Sequence, residues 1–185
     1  MRKSAIAVVT LVTFGSLALV PTAESFSRET RPELDDPTIV AIFDAANTAD
    51  IETGKLAVER GQSAEVREFG AMLARDHQHV RQLGRDLAKK LGVTPTPPKD
   101  DAAAKTHAEA IASLRAKSGA EFDRAFLRHE AAFHKSVIDA VQTTLLPAIR
   151  NEELRALVVK VAPAFQAHMV AAQNLERQLV AGSGR

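Results

Sequence analysis

Residues 66–91 read VREFGAMLARDHQHVRQLGRDLAKKL and form the longest amphipathic pattern in the chain. Apolar side chains recur there at helical spacing and share one face: Val66, Phe69, Leu73, Val80, Leu83, Leu87 and Leu91. An acid and an imidazole, Asp76 and His77, stand in the middle of the stretch. The pattern predicts a long helix that packs one face against a helical domain and carries polar chemistry at its centre.

The composition of the 185-residue chain favours helices over a sheet, because Ala, Leu, Lys, Arg and Glu abound while there are eight Phe, no Tyr and no Trp. The fold class that we predict is all-α, and the length suits one domain. The chain contains no cysteine, which excludes disulfides, thiol catalysis and thiolate metal ligands. Any metal site must use histidine and carboxylate side chains.

The first 25 residues have the pattern of a secretory signal peptide. Arg2 and Lys3 precede an uncharged run over residues 5–20, and Ala23 and Ser25 form the best small-residue cleavage site. We expect a flexible lead-in over residues 26–36 and a single domain over residues 37–181. The predicted location is periplasmic or secreted, with an uncleaved leader that anchors the protein in the membrane as the alternative.

The charge balance gives no electrostatic reason to bind nucleic acid. The chain has 24 basic and 23 acidic residues, and leader removal takes Arg2, Lys3 and Glu24, so the mature net charge is zero. No basic tract is present. We therefore expect neither nucleic acid nor an anionic membrane surface as a partner.

Four long helices are predicted, at about residues 37–60, 64–91, 119–145 and 152–180. The helix starts are marked by capping residues, namely Asp36 before Pro37, Ser63, a Ser118-x-x-Glu121 capping box, and Asn151. Gly61 and Gly92 suit helix ends, Pro147 should stop the third helix, and Pro163 should kink the fourth.

The short joint between the first two helices predicts an antiparallel hairpin. A linker with three prolines over residues 93–99 and a short helix over residues 100–117 follow the hairpin. Together they are long enough to cross from one end of a bundle to the other. We therefore predict a ferritin-like antiparallel four-helix bundle with an extra short helix in the crossover between helices 2 and 3.

Helical geometry also predicts which polar residues face the core. At about 100° per residue, Asp76, Asp50, Glu130 and His168 lie within about 40° of the apolar centre of their helices. His77 lies farther out on its flank, and His134 lies about 80° from the centre. Asp50 and Asp76 fall at the same height of the first hairpin, so the primary expectation is an Asp76–Asp50 pair that His77 joins only if a neighbouring helix covers that flank.

Inward carboxylates and imidazoles in a helical bundle are typical of a divalent metal site. The candidate ligands are Asp50, Asp76, His77, Glu130, His134 and His168. A hydrogen-bonded polar network that fixes the register of the helices is the alternative. The usual di-iron pattern of Glu-x-x-His is missing, because Ala74 and Phe165 stand three residues before His77 and His168.

Four strings, in this order and spacing, resemble a bacterial family of unknown function named DUF4142, whose members are described as predicted outer membrane proteins with a ferritin-like fold. The strings are DIETGKLA, VREFGAMLARDH, FDRAFLRHEAAFH and APAFQAHMVAA, and the resemblance spans about residues 37–179. It implies recurrent polar positions at Asp50, Asp76, His77, Asp123, His134 and His168. Asp50 stands where Glu is more usual and Phe126 where Tyr is common.

Three hypotheses of function follow. The first is a periplasmic binding or envelope-stress module without turnover. The second is a metal-binding, di-iron-like oxidoreductase or metal-storage bundle that holds a divalent ion such as iron. A third, weaker hypothesis is helix-mediated assembly into a homo-oligomer. Contact between ligand atoms from at least three helices would favour the second hypothesis.

Overall fold

The computed structural model describes residues 34–100 and 102–182, and all regular structure in these ranges is helical. The elements are α1 (Asp36–Arg60), α2 (Ala64–Leu91), α3 (Ala102–Arg115), α4 (Gly119–Ala140), a π-helical segment (Val141–Leu145), α5 (Leu146–Ala148) and α6 (Glu152–Gly182). The all-α prediction is confirmed. The predicted leader and most of the lead-in lie outside the described residues. No helix in the described ranges is long and apolar enough to cross a membrane.

Helices α1 and α2 form an antiparallel hairpin, as predicted. Asp44 on α1 pairs with Arg85 on α2, with 2.5 Å between Oδ1 and Nε. Nearer the turn, glycines let the two backbones touch, because a Cβ placed on Gly54 would lie 2.6 Å from the carbonyl oxygen of Gly70. The close approach brings the facing side chains of the two helices into register.

Helices α4 and α6 form a second antiparallel pair. Arg128 on α4 pairs with Glu176 on α6, with 2.5 Å between Nε and Oε1, and His134 lies beside His168 with 5.4 Å between ring centroids. The short helix α3 stands in the crossover, where His107 contacts Glu52 of α1, with 2.8 Å between Nε2 and Oε2. The predicted short helix between the second and third long helices is present as α3.

The apolar core is divided into layers along the helices. One layer includes Leu56, Val66, Phe69, Leu73, Phe122, Phe126 and Ala172. A smaller one holds Val80, Val161 and Phe165, and the far end holds Ile39, Ala88, Leu145, Leu154 and Val158. On α2, His77 falls between Leu73 and Val80, so a polar layer separates the first two apolar layers.

Two carboxylates tie helix starts across the molecule. Both oxygens of the buried Asp123 on α4 accept backbone N–H groups from the α1–α2 turn, Gln62 at 2.8 Å and Ser63 at 2.9 Å. Asp36 on α1 does the same for the residues before α6, accepting from Arg150 and Asn151 at 2.9 Å each. These clamps satisfy backbone donors that a helix start leaves unpaired.

The structure corrects two of the predicted caps. Asp35, rather than Asp36, caps α1, because its Oδ1 accepts the Thr38 N–H at 2.9 Å. Ser118 makes no capping hydrogen bond and Glu121 pairs with Lys117 instead, so the capping box is wrong. Caps by Ser63 and Asn151 are confirmed, as each accepts the N–H three residues on.

The end of the third predicted helix also differs. Helix α4 ends at Ala140, the backbone then widens into the π-helical segment, and α5 continues past Pro147 to Ala148. We attribute the wider turn to Pro147, which lacks an N–H and whose ring crowds the carbonyl four residues back. Helix α6 continues through Pro163 without interruption.

Candidate metal centre

Each long helix sends at least one polar side chain into the layer between the apolar clusters. Asp50 comes from α1, His77 from α2, Glu130 and His134 from successive turns of α4, and His168 from α6. All five are buried. Their ligand atoms form two groups, each within 4.8 Å: the imidazoles of His77, His134 and His168, and Asp50 with Glu130 and His134. The three imidazoles come from three different helices.

Hydrogen-bond partners assign the tautomers of His77 and His134. The Nδ1 of His77 lies 2.9 Å from the Oδ1 of Asn47, and the Nδ2 of Asn47 donates to the Phe43 carbonyl at 2.7 Å. The Asn47 oxygen therefore accepts, and His77 donates. The Nδ1 of His134 donates in the same way to the carbonyl of Glu130 at 2.9 Å. Both rings carry the lone pair on Nε2.

His168 has the opposite orientation. Its Nε2 lies 3.4 Å from Oδ2 of Asp76, which places the ring N–H on the side of that carboxylate. Its Nδ1 faces Nε2 of His77 at 3.2 Å. The two nitrogens are within hydrogen-bond distance when one of them carries the proton, and with the N–H of His168 on the Asp76 side their lone pairs face one another, an arrangement that a cation between them would stabilise.

The separation of these nitrogens suits a metal ion. A tetrahedral ion with bonds of about 2.0–2.1 Å to imidazole holds two nitrogens about 3.3 Å apart. An oxygen behind each ring fixes its direction, which is the usual environment of metal-binding histidines. The Nε2 of His134 is buried and has no hydrogen-bond partner among the described residues, so a third lone pair is available to the same centre.

Burial keeps the imidazoles in the neutral form that binds metals. The pKa of His77 falls to about 3, first because burial disfavours the charged ring and then because His134 and His168 lie beside it. Burial lowers the pKa of His134 to about 4, against an opposing hydrogen bond to the Glu130 carbonyl. Burial also lowers the pKa of His168, although Asp76 partly offsets this effect.

The two inward carboxylates flank the imidazoles. Oδ2 of Asp50 lies 3.3 Å from Nδ1 of His77, and Oε2 of Glu130 lies 3.6 Å from Nδ1 of His134. The two carboxyl groups lie side by side and interact with one another, and Thr53 is a further partner of Glu130. Burial raises the pKa of both groups, and the charge of Glu130 raises that of Asp50 further. The pair could supply negative charge beside a bound cation.

A family model named "Domain of unknown function (DUF4142)" matches residues 21–175, which is most of the chain. The chain belongs to the DUF4142 family. No curated protein matches this DUF4142 chain.

Two solved structures share its fold. The crystal structure of a DUF305 fragment from Deinococcus radiodurans matches with a TM-score of 0.67 and 15% identity, covering 77% of this chain and 95% of its own. CopM in the Cu(II)-bound form matches with a TM-score of 0.60 and 14% identity, covering 78% of this chain and 98% of its own. At such identities the likeness describes the fold alone.

In this DUF4142 protein the predicted inward positions of Asp50, Glu130 and His168 are correct, since all three side chains are buried. The predicted orientations of Asp76 and His77 are reversed, because His77 faces the core and Asp76 lies on the flank. His77 is 1% exposed and contacts Asp50, whereas the side chain of Asp76 is 36% exposed and lies outside the cluster, against His168. The predicted Asp76–Asp50 pair is therefore wrong. His134, expected on a flank, is fully buried.

The sequence interpretation missed Asn47. It is fully buried and orients His77. The signal was present, because Asn47 precedes Asp50 by three residues and so shares its helix face. The inward polar residue of α2 was misassigned, so the partner of Asn47 was not recognised and Asn47 itself went unnoticed.

Proposed function

We propose that this protein binds one divalent transition-metal ion through His77, His134 and His168, inside a ferritin-like four-helix bundle of the cell envelope. The carrying observation is the convergence of three imidazoles from three helices, with the lone pairs of His77 and His134 turned inward. Imidazole ligands without thiolates suit Cu²⁺ and Zn²⁺. The described Cu(II)-bound form of CopM makes Cu²⁺ the first ion to test.

A purely structural polar network explains the cluster less well. Polar groups in such networks are paired, because an unpaired buried group costs about 1–3 kcal/mol. Here Nε2 of His134 is buried and lacks a hydrogen-bond partner among the described residues, and the buried acids Asp50 and Glu130 lie against one another, where burial and the charge of Glu130 raise the pKa of Asp50. A buried imidazole nitrogen without a partner, beside two buried acids, is suited to bind a cation.

The proposal is a mononuclear site rather than a di-iron centre. A di-iron bundle takes a Glu from each of two helices and a Glu-x-x-His pair from each of the other two. Here the paired carboxylates are Asp50 and Glu130 alone, and the imidazoles outnumber them. We therefore favour metal binding without turnover, and replace iron by Cu²⁺ or Zn²⁺ as the expected ion. The predicted leader supports a periplasmic or secreted location, which cell fractionation would test.

The test compares His77→Gln with His79→Gln, since both histidines lie on α2 but His79 is exposed. Wild type and His79→Gln should each hold one Cu²⁺ per chain after removal of loosely bound ions. His77→Gln should bind Cu²⁺ more than about 100-fold more weakly. Such a loss exceeds the roughly 10- to 100-fold that follows when a hydrogen-bond partner of a metal ligand is removed. Elemental analysis gives the stoichiometry, and electron paramagnetic resonance counts the bound nitrogens.

Two further experiments control for misfolding and for the choice of ligand residue. Circular dichroism of each variant shows whether the helices persist, and His168→Gln offers a second ligand change at the edge of the cluster. Substoichiometric Cu²⁺ and Zn²⁺ in folded wild-type protein would disprove the proposal. An equal loss of affinity in His79→Gln and His77→Gln would do the same, because it would place binding on the surface.

A further inference from the structure

Exposure of the polar side chains rises in one direction from the cluster. The side chain of His134 is 0% exposed, that of His77 1%, that of His168 7% and that of Asp76 36%. This gradient runs between α2 and α6. It leads from the enclosed centre to solvent through one imidazole and one carboxylate.

The two oxygens of the Asp76 carboxylate contact different partners, His168 on the cluster side and Arg75 on the solvent side. Its Oδ2 lies 3.4 Å from Nε2 of His168. Its Oδ1 accepts from Nε of Arg75 at 3.0 Å, and the Arg75 side chain is 72% exposed. An ion pair so exposed is weak, so a divalent cation can replace the guanidinium at the carboxylate.

The other opening beside the cluster is poorly suited to a hydrated ion. A cavity of about 400 Å³ lies between α1, the π-helical segment and α6, and Phe165 and Asn47 border both it and the cluster. Its walls are mainly aliphatic, and no charged side chain lines it. A divalent ion would lose its water there without gaining a ligand.

We propose that the Asp76 carboxylate, at the solvent edge of the cluster beside His168, is an outer capture site that takes a divalent cation from solvent and passes it to the inner imidazoles. This inference rests on the proposed function. It gives Asp76 a kinetic role that is distinct from orienting His168. Arg75 then acts as a resident cation that the incoming ion displaces.

The test is stopped-flow Cu²⁺ binding, followed by extraction with a chelator. Asp76→Asn removes the charge but keeps an oxygen that accepts the His168 N–H. Association should slow by about tenfold or more, as expected for loss of electrostatic attraction, and dissociation should slow with it. Asp44→Asn is the matched control, because Asp44 is another half-buried acid paired with an arginine. Its rates should equal those of wild type.

Arg75→Ala should have the opposite effect, faster association, while the control Arg85→Ala should leave the rates unchanged. If Asp76→Asn keeps the wild-type association rate and only dissociates faster, Asp76 merely orients His168 and the inference is wrong. If wild-type protein binds no Cu²⁺ at equilibrium, the proposed function itself fails. The two failures are therefore distinguishable.

Discussion

Asp50 shows how one residue can serve binding at the expense of the metal-free fold. Because burial and Glu130 raise its pKa, the folded state holds the proton more tightly than the unfolded chain. The stabilisation from that proton is complete below the unfolded-state pKa of about 3.9 and is lost as pH rises through the folded-state pKa. The free energy of unfolding of the metal-free protein should therefore fall as pH rises above the unfolded-state pKa, because burial and Glu130 raise the pKa of Asp50 in the folded state.

Asp50→Asn should separate the two effects. Without metal, the variant should match wild type near pH 4 and exceed its free energy of unfolding by about 1–3 kcal/mol at pH 8. Added Cu²⁺ should stabilise the variant less than wild type, because the carboxylate charge beside the ion is gone. Urea unfolding with a chelator and then with Cu²⁺ measures both. Asp44→Asn, which loses the ion pair between half-buried Asp44 and Arg85, should gain nothing at pH 8.

At the residue scale, the helix arithmetic succeeded for Asp50, Glu130 and His168, and on α2 it failed because glycines belong to the buried face. The predicted face of α2 was centred with the help of Leu83, Leu87 and Leu91, which are only half-buried. The observed face includes Gly70 and Gly84. Glycine adds no apolar weight to a periodicity, although it allows the closest helix contact. The true centre therefore lies nearer His77 than Asp76.

The packing of the α1–α2 hairpin also depends on glycines at the contact between the two helices. A Cβ on Gly70 would lie 2.6 Å from both the Gly54 oxygen and the Ala57 Cβ. Gly70→Ala gains about 1 kcal/mol of helix propensity, but backbone must move to fit the methyl group, so a net loss of about 1–2 kcal/mol is expected. Cu²⁺ affinity should fall too, because α1 carries Asp50 and Asn47 away from His77.

Chemical denaturation and Cu²⁺ titration of Gly70→Ala check this prediction. Gly182→Ala is the control, since a Cβ there meets no atom within 4 Å, and it should leave stability and affinity unchanged. Wild-type stability in Gly70→Ala would show that the close approach of the two backbones contributes nothing to the hairpin.

Helix existence was predictable at the element scale, but some ends were not. Predicted ends at Arg60 and Leu91 are confirmed, and Gly92 ends α2 in the left-handed conformation that glycine favours. The π-helical segment before Pro147 was missed, since the proline marks a helix stop but not the width of the preceding turn. Asp123 was noticed only through a family resemblance, because its partners lie on the α1–α2 turn, far away in sequence.

For the whole molecule, periodicity and loop lengths indicated two hairpins but not their register against one another. The cluster depends on that register, because His77 belongs to one hairpin while His134 and His168 belong to the other. Distances counted along each helix from the connecting turn place Glu130 level with His168. No local signal places these two residues beside Asp50. Packing of the apolar layers on either side of the cluster sets that alignment.

A bound ion should therefore join the two hairpins and stabilise the whole fold. An ion that binds only the folded state adds about 2.7 kcal/mol at a free concentration of 100 times its Kd, which raises Tm by about 5–10 °C for a chain of this size. Thermal unfolding with Cu²⁺, and again after a chelator, measures the shift. His79→Gln should show the full shift and His77→Gln almost none. An equal shift in both variants would mean that Cu²⁺ acts at surface groups and does not link α2 to α4 and α6.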